Sequence, residues 1–359
     1  MMKSSYEFIS FQIFTDLCGA LMEDIPQIKD LLGLPHNVVI LSHRNPDGDA
    51  IGSCLAWMLY LQSKGHKVHT ILPSEYPVNF AWMSEARDIL IYDLVPDRCK
   101  ELIQVASLVC YLDFGSLDRI DKIGEFVRTS KAKKIMIDHH IDPEPIVDYM
   151  ISDPGASSTC ELVFDVIQAL GDEKLITPDI AECMYTGIIT DTGGFAHALS
   201  PAIMRKAARL LELGVNNEKL QELLFKNLPE KQLRLLGYCL YARMEIMPEY
   251  QTGMIYLTKE DYAKFSISRG DTEGIVNYML MLKDVKVAVL ITDQNGIIKF
   301  SFRSKGDISV QALARMHFNG GGHKNASGGF QHTSLREAID KFKSILPQFS
   351  AHFQLATTY

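Results

Sequence analysis

Apolar residues in the first half of the chain fall into short unbroken runs separated by stretches of helical period. "NVVILS" reads as a buried strand, residues 50–63 as a helix, and "HKVHTIL", "SLVCYLDF" and "KKIMIDHH" as further strands, with an amphipathic helix over residues 117–127 between the last two. Such alternation implies βαβ units and a mostly parallel sheet flanked by helices, with functional residues at the carboxyl ends of the strands. Helices are expected next over residues 158–169 and 178–189, and from residue 201 to about 241 the pattern is almost entirely helical. Strands return at "TGMIYLT", "VKVAVLIT" and "IIKFSFRS", the last two joined by Asp293-Gln294-Asn295-Gly296 as a hairpin turn. The expected fold class is α/β: an N-terminal domain over residues 22–200 on a mostly parallel sheet, a helical connector over residues 201–240, and a smaller C-terminal α/β domain with a mixed sheet over residues 241–350.

At 359 residues, 47% hydrophobic and 22% charged, the chain can bury a sizeable core in two or more domains. Its formal charge of -8 speaks against binding long nucleic acid, duplex included, which needs a broad basic face; a polyanionic substrate has to be held locally. Cys18, Cys54, Cys99, Cys110, Cys160, Cys183 and Cys239 are odd in number and scattered, with no C-x-x-C pair, and read as reduced core thiols of a cytoplasmic protein. No apolar run reaches the ~18 residues of a membrane span. The longest, "VNYMLMLKDVKVAVLI", is broken by Lys283, Asp284 and Lys286, so no membrane partner is expected. The N-terminal stretch lacks the positive n-region and clean apolar h-region of a signal peptide, and Met22 is an alternative start of translation. Oligomeric state is left open, a homodimer being one option.

"HRNPDGDA" places His43, Asp47 and Asp49 directly after the first strand. Asn-Pro and Asp-Gly are turn dipeptides and Asp caps helices, so a strand-ending turn explains the stretch by itself. A metal site explains it only with partners elsewhere, and these recur at the ends of successive elements. Asp113 ends "LVCYLD"; Asp138, His139 and His140 end "KIMIDHH"; Asp191 opens "DTGGF" after the helix "AECMYTGIIT". Singly each has a mundane role, Asp113 as a helix cap and His139 or His140 as a satisfied core histidine. Together they supply the oxygen and nitrogen donors that two divalent cations need, and carboxylate with imidazole but no thiolate suits Mn2+ best, with Mg2+, Co2+ and Zn2+ as alternatives. In "GGGHKNASGG", Gly320, Gly321 and Gly322 let backbone approach an anion, His323 and Lys324 supply donors, and Arg303, with Ser304 beside it on the preceding strand, offers a planar fork for phosphate. A glycine-rich turn alone is equally a flexible loop; paired with the upstream motifs it reads as a substrate clamp across an interdomain cleft.

With "SHRNPDGDAIGS", "YLDFGSLDRI", "IDHH", "SDPGASSTCELV" and "TDTGGF" in this order, the chain resembles the DHH phosphoesterase superfamily, named for the triplet present here as Asp138-His139-His140. "RSKGDISVQALARMHFNGGGHKNASGGF" looks like the DHH-associated domain with its Gly-Gly-Gly-His loop. The pairing is similar to bacterial oligoribonucleases that degrade very short RNA and remove a phosphate from 3'-phosphoadenosine 5'-phosphate. One departure is "FGS" after Asp113, where relatives often carry a small polar run. The resemblance implies one metal on His43, Asp47 and Asp113 and the other on Asp49, Asp113, His139 and Asp191, with Asp113 bridging. A water between the ions would become hydroxide at neutral pH and attack phosphorus in line. His140 would contact the phosphate or leaving group, and Asp138 would orient an imidazole. The implied partners are short oligoribonucleotides, linear dinucleotides or nucleotides, cut to mononucleotides.

Other readings share parts of this pattern. A manganese pyrophosphatase or exopolyphosphatase would share the first domain, but the basic Ser-Arg-Lys-Lys-type segment of those proteins is not found here. A single-strand DNA exonuclease would need further nucleic-acid-binding modules, for which neither length nor acidity leaves room. A non-catalytic nucleotide sensor would have no need of the complete ligand set.

Overall fold

A computed structural model describes residues 23–354 apart from Arg269 and Asn295, so the alternative start at Met22, Cys18 and the middle of the expected hairpin turn lie outside the described residues. The chain divides into two compact units that meet in sequence at Asn227 and Leu228.

The first unit runs α1 (Ile25–Leu31), β1 (Asn37–Leu41), α2 (Gly48–Ser63), β2 (Lys67–Leu72), β3 (Leu90–Ile91), α3 (Pro96–Val105), β4 (Leu108–Leu112), α4 (Ile123–Thr129), β5 (Lys133–Asp138), β6 (Tyr149–Ser152), α5 (Thr159–Ala169), α6 (Pro178–Asp191), α7 (Pro201–Glu212) and α8 (Asn217–Phe225). Its six strands pair in the order β3-β2-β1-β4-β5-β6, all parallel. The unbroken apolar run of β1 has a simple cause: Val38 and Ile40 face one core with α2, α5 and α6, while Val39 and Leu41 face a second core with α3 and α4. Strand order reverses between β1 and β4, so the carboxyl ends of these two strands flank a crevice where open α/β sheets bind ligands.

Several features depart from the periodicity. The expected helix over residues 117–127 is two pieces, a 3-10 turn Leu117–Ile120 and α4, broken at Asp121 with φ 47°. Leu117, Ile120, Ile123 and Val127 are buried in one core across the break, and this shared burial reproduces a helical period. Strands β3 and β6 were not anticipated, being two and four residues long. The helices expected as a connector divide between the units. Ile203, Ala207 and Leu210 of α7 and Leu220 of α8 join the first core, whereas Leu235, on the helix that follows, packs in the second unit.

The second unit runs α9 (Glu230–Tyr238), a π turn Cys239–Arg243, β7 (Met244–Met247), β8 (Thr252–Leu257), α10 (Lys259–Lys264), α11 (Ile275–Leu280), β9 (Val287–Gln294), β10 (Ile297–Ser304), α12 (Val310–His317), β11 (Gly321–Gly322), β12 (Ala326–Gln331) and α13 (Leu335–Gln354). Its sheet, ordered β11-β12-β10-β9-β8-β7, is mixed: β8 and β9 are parallel and the other pairs antiparallel. Phe300, Phe302, Phe318 and Phe342 cluster beneath one face, and α9 and α11 pack on the other.

Candidate metal centre

His43 lies two residues beyond β1, Asp113 one residue beyond β4, Asp138 ends β5 and Asp191 ends α6. Asp47 is the N-cap of α2, its Oδ1 accepting the amides of Asp49 and Ala50 at 3.1 Å each. The cap and ligand readings of Asp47 are thus compatible, since one oxygen closes the helix and the carboxylate still joins the cluster. His43, Asp47 and Asp113 bring one donor atom each within 4.8 Å of one another, and so do Asp49, His139 and Asp191. Asp113 stands between the two triads: Oδ2 is 3.3 Å from His43 Nε2, and Oδ1 is 3.6 Å from His139 Nε2. Its backbone is left-handed, φ 64°, an arrangement that favours glycine and that an ordinary residue keeps only where its surroundings impose it.

Both triad histidines hold Nδ1 against a main-chain carbonyl, His43 on Arg44 O at 2.9 Å and His139 on Ala156 O at 3.3 Å. A carbonyl only accepts, so Nδ1 carries the proton and Nε2 faces the carboxylates with its lone pair. Burial pushes the His43 imidazole down to about 4, keeping it neutral at pH 7 as a ligand must be. Burial first, and then the neighbouring carboxylates, force Asp113 and Asp191 well above the usual carboxylate range, and burial also raises Asp49. Burial alone would raise Asp47 too, but His43 and the amides of α2 bring it below the usual value. Crowded acids facing two imidazole lone pairs, with no thiolate, are a donor set that fits a pair of divalent cations.

His140 forms a further group with Asp113 and Asp138, one donor atom of each lying within 4.8 Å of the others. Its Nδ1 donates to Asp138 Oδ1 at 2.7 Å, and the same nitrogen is 3.8 Å from Asp113 Oδ1. Asp138 is fully buried with Oδ2 lacking a hydrogen-bond partner, and it is held below the usual carboxylate range because His140 outweighs the burial that would raise it.

No sequence signal ties the start of α5 to the site, yet it supports three of these side chains. The amides of Thr159 and Cys160 donate to Asp49 Oδ2 at 2.6 Å and Oδ1 at 2.9 Å, and the Thr159 hydroxyl donates to Asp113 Oδ1 at 3.0 Å. Glu161 Oε2 accepts the amide and hydroxyl of Ser157, both at 2.8 Å, beside the carbonyl that holds His139. Lys206 of α7 donates to Glu161 and Asp165 at 2.7 and 2.6 Å. Ser158 followed three residues later by Glu161 is a legible helix start, but nothing local says what that start faces. Gly187 on α6 permits the approach: a Cβ there would lie 2.2 Å from Cys160 Sγ and 2.7 Å from Asp49 Oδ1.

In the second unit the glycine-rich stretch is a tight hairpin, with β11 paired to β12 through a turn at Lys324 and Asn325. Side chains at Gly320 and Gly322 would strike main chain of the facing strand, Gly328 O at 1.9 Å and Ala326 O at 2.7 Å, so these glycines serve strand pairing; Gly321 alone opens onto free space. The Ser304 hydroxyl donates to Ile308 O at 2.6 Å and accepts from Asn325, which commits it to bracing the turn. Lys324 pairs with exposed Asp307 at 2.8 Å. Arg303 is aligned with Ala326 across the β10–β12 ladder and is half-buried, as is His323 at the turn.

Residues 37–188 match the N-terminal domain of the DHH family, and residues 251–349 match the DHHA1 domain. The chain is 30% identical over 293 residues to a bifunctional oligoribonuclease and PAP phosphatase, NrnA, of Thermus thermophilus, covering 81% of this chain and 83% of that one. It is 38% identical to an exopolyphosphatase-related protein of Bacteroides fragilis of known structure, with a TM-score of 0.89 over 92% of this chain and 97% of that one. The fold is also similar to RecJ of Thermus thermophilus in complex with Mn2+, at 14% identity and a TM-score of 0.51, covering 92% of this chain and 53% of that one. With both domains in order and the DHH triplet set at the crevice of the first, the chain belongs to the DHH family and is a phosphoester hydrolase.

Proposed function

We propose that this chain hydrolyses short oligoribonucleotides and linear dinucleotides to mononucleotides, and removes phosphate from 3'-phosphoadenosine 5'-phosphate, with two divalent cations, Mn2+ foremost, in the cytoplasm. The observation that carries the reading is the position of Asp113 between two acid and histidine triads at the crevice of the parallel sheet. Likeness to the Thermus thermophilus oligoribonuclease and PAP phosphatase supports the substrate class. His43, Asp47 and Asp113 would hold one ion and Asp49, Asp113, His139 and Asp191 the other. When bound, the ions supply an activated water and offset charge on the phosphoryl oxygens. Asp138 fixes the His140 ring, so that His140 Nε2 is the edge presented to the phosphate or leaving group. Arg303 and His323 capture the nucleotide, with Gly321 leaving room for it.

A second reading, hydrolysis of a phosphoanhydride, is favoured by likeness to the exopolyphosphatase-related protein of Bacteroides fragilis. One assay decides between them: diribonucleotides, 3'-phosphoadenosine 5'-phosphate, cyclic dinucleotides, pyrophosphate and polyphosphate side by side with Mn2+. Preference for the first two is expected; preference for pyrophosphate or polyphosphate would overturn the oligoribonuclease reading.

A further inference from the structure

We infer that Thr159 is a positioning residue that ties the two halves of the metal centre together. This role rests on the ligand sets proposed above. Thr159 is fully buried and contacts an acid of the second half and the carboxylate shared by both: its amide donates to Asp49 Oδ2 at 2.6 Å, and its hydroxyl donates to Asp113 Oδ1 at 3.0 Å. Asp113 can serve both halves only if its two oxygens stay turned in different directions, Oδ2 toward His43 and Oδ1 toward His139. The backbone of Asp113 does not secure this, because its left-handed conformation sets only where the side chain starts. The hydroxyl of Thr159 is neutral, so its hydrogen bond to Asp113 Oδ1 orients the carboxylate without neutralising it.

The geometry also explains why threonine stands here. The first turn of α5 leaves amides unpaired, and Asp49 accepts two of them, so Thr159 is anchored through its main chain whatever its side chain. Side-chain chemistry at this position is therefore free to act on Asp113 alone. Thr159→Val keeps the branched shape and removes the donor, while Thr159→Ser keeps the donor and removes a methyl group.

Titration of Mn2+ into the metal-free proteins, followed calorimetrically, is the test, with diribonucleotide kinetics run in parallel. Thr159→Val should bind Mn2+ about 10- to 100-fold more weakly, the usual effect of losing a group that orients a ligand, with a similar fall in kcat and KM little changed. Thr159→Ser should restore both to within a few-fold of the parent. Wild-type Mn2+ affinity and kcat in Thr159→Val would overturn the role, and so would a Thr159→Ser protein as impaired as Thr159→Val, which would make the methyl group the reason for threonine. A parent protein that binds no divalent cation would overturn the metal reading itself, an outcome visible before either variant is compared. Melting temperatures of the three proteins in chelator should agree; a large drop confined to Thr159→Val would assign the residue to the core instead.

Discussion

His140 gives its Nδ1 proton to Asp138 at 2.7 Å, and Asp138 is fully buried with no second hydrogen-bond partner at Oδ2. The pair fixes the imidazole ring, and the proposed function makes Nε2 the edge turned to the phosphate or leaving group. Asp138→Asn keeps the shape and removes the charge that stabilises a protonated ring. It should lower kcat about 10^2-fold or more, within the range for disabling a proton-transferring group, while Mn2+ binding stays near normal. Loss of the ions in this variant would place Asp138 among the ligands.

Asp113→Asn should reduce occupancy of both cations and abolish turnover without unfolding the chain, because Asp113 faces both triads. Metal content of the purified variant and its circular dichroism check this together. Two tightly held ions with near-normal turnover would refute the bridging assignment.

Arg303→Ala and His323→Ala should retain both ions and lose kcat/KM on dinucleotides by roughly 10- to 1000-fold, as expected for lost charge-assisted contacts. Hydrolysis of bis-p-nitrophenyl phosphate should suffer much less. Equal losses on both substrates would move these residues into the chemistry.

A chain of formal charge -8 has little counterion release to gain from a long strand. On a ladder of labelled RNA, kcat/KM should peak at two to about five nucleotides and fall steeply beyond, since added phosphates gain little on an acidic chain. Undiminished or processive cleavage of a strand of about 24 nucleotides would favour a true exonuclease.

Lys206 bridges Glu161 and Asp165, with the side chains of all three largely shielded from solvent. Lys206→Met leaves two acids facing each other and should cost about 3–5 kcal/mol of stability at neutral pH, read from denaturant unfolding. Burial would raise Glu161, but Lys206 and Ser157 outweigh it and hold the group below its ordinary value of 4.5. A depressed carboxylate contributes stability above its unfolded value and loses it on acidification. The stability gap between the parent and Glu161→Gln should therefore be full at neutral pH and narrow as pH falls below 4.5. A gap independent of pH would refute the ionic role.

The pattern of the chain alone carried the α/β class, the parallel sheet of the first unit and the mixed sheet of the second, because strands buried on both faces write unbroken apolar runs such as residues 38–41. It also marked the acids and histidines of the two triads, since they stand out against apolar strand ends, but not Thr159, whose hydroxyl reaches Asp113. Tertiary structure decided what no local signal encodes. Four buried residues in one core, from Leu117 to Val127, look like one helix until Asp121 breaks it. The glycines near His323 look like an anion cradle, yet two of them are needed for strand pairing, and Ser304 turns its hydroxyl inward. Thr159 lies 46 residues from Asp113 and 110 from Asp49 in sequence, so only the packing of α5 against the ends of β4 and α2 could join them. A hydrogen bond between distant residues leaves no periodicity in the chain, and that is why the support of this site had to be seen folded.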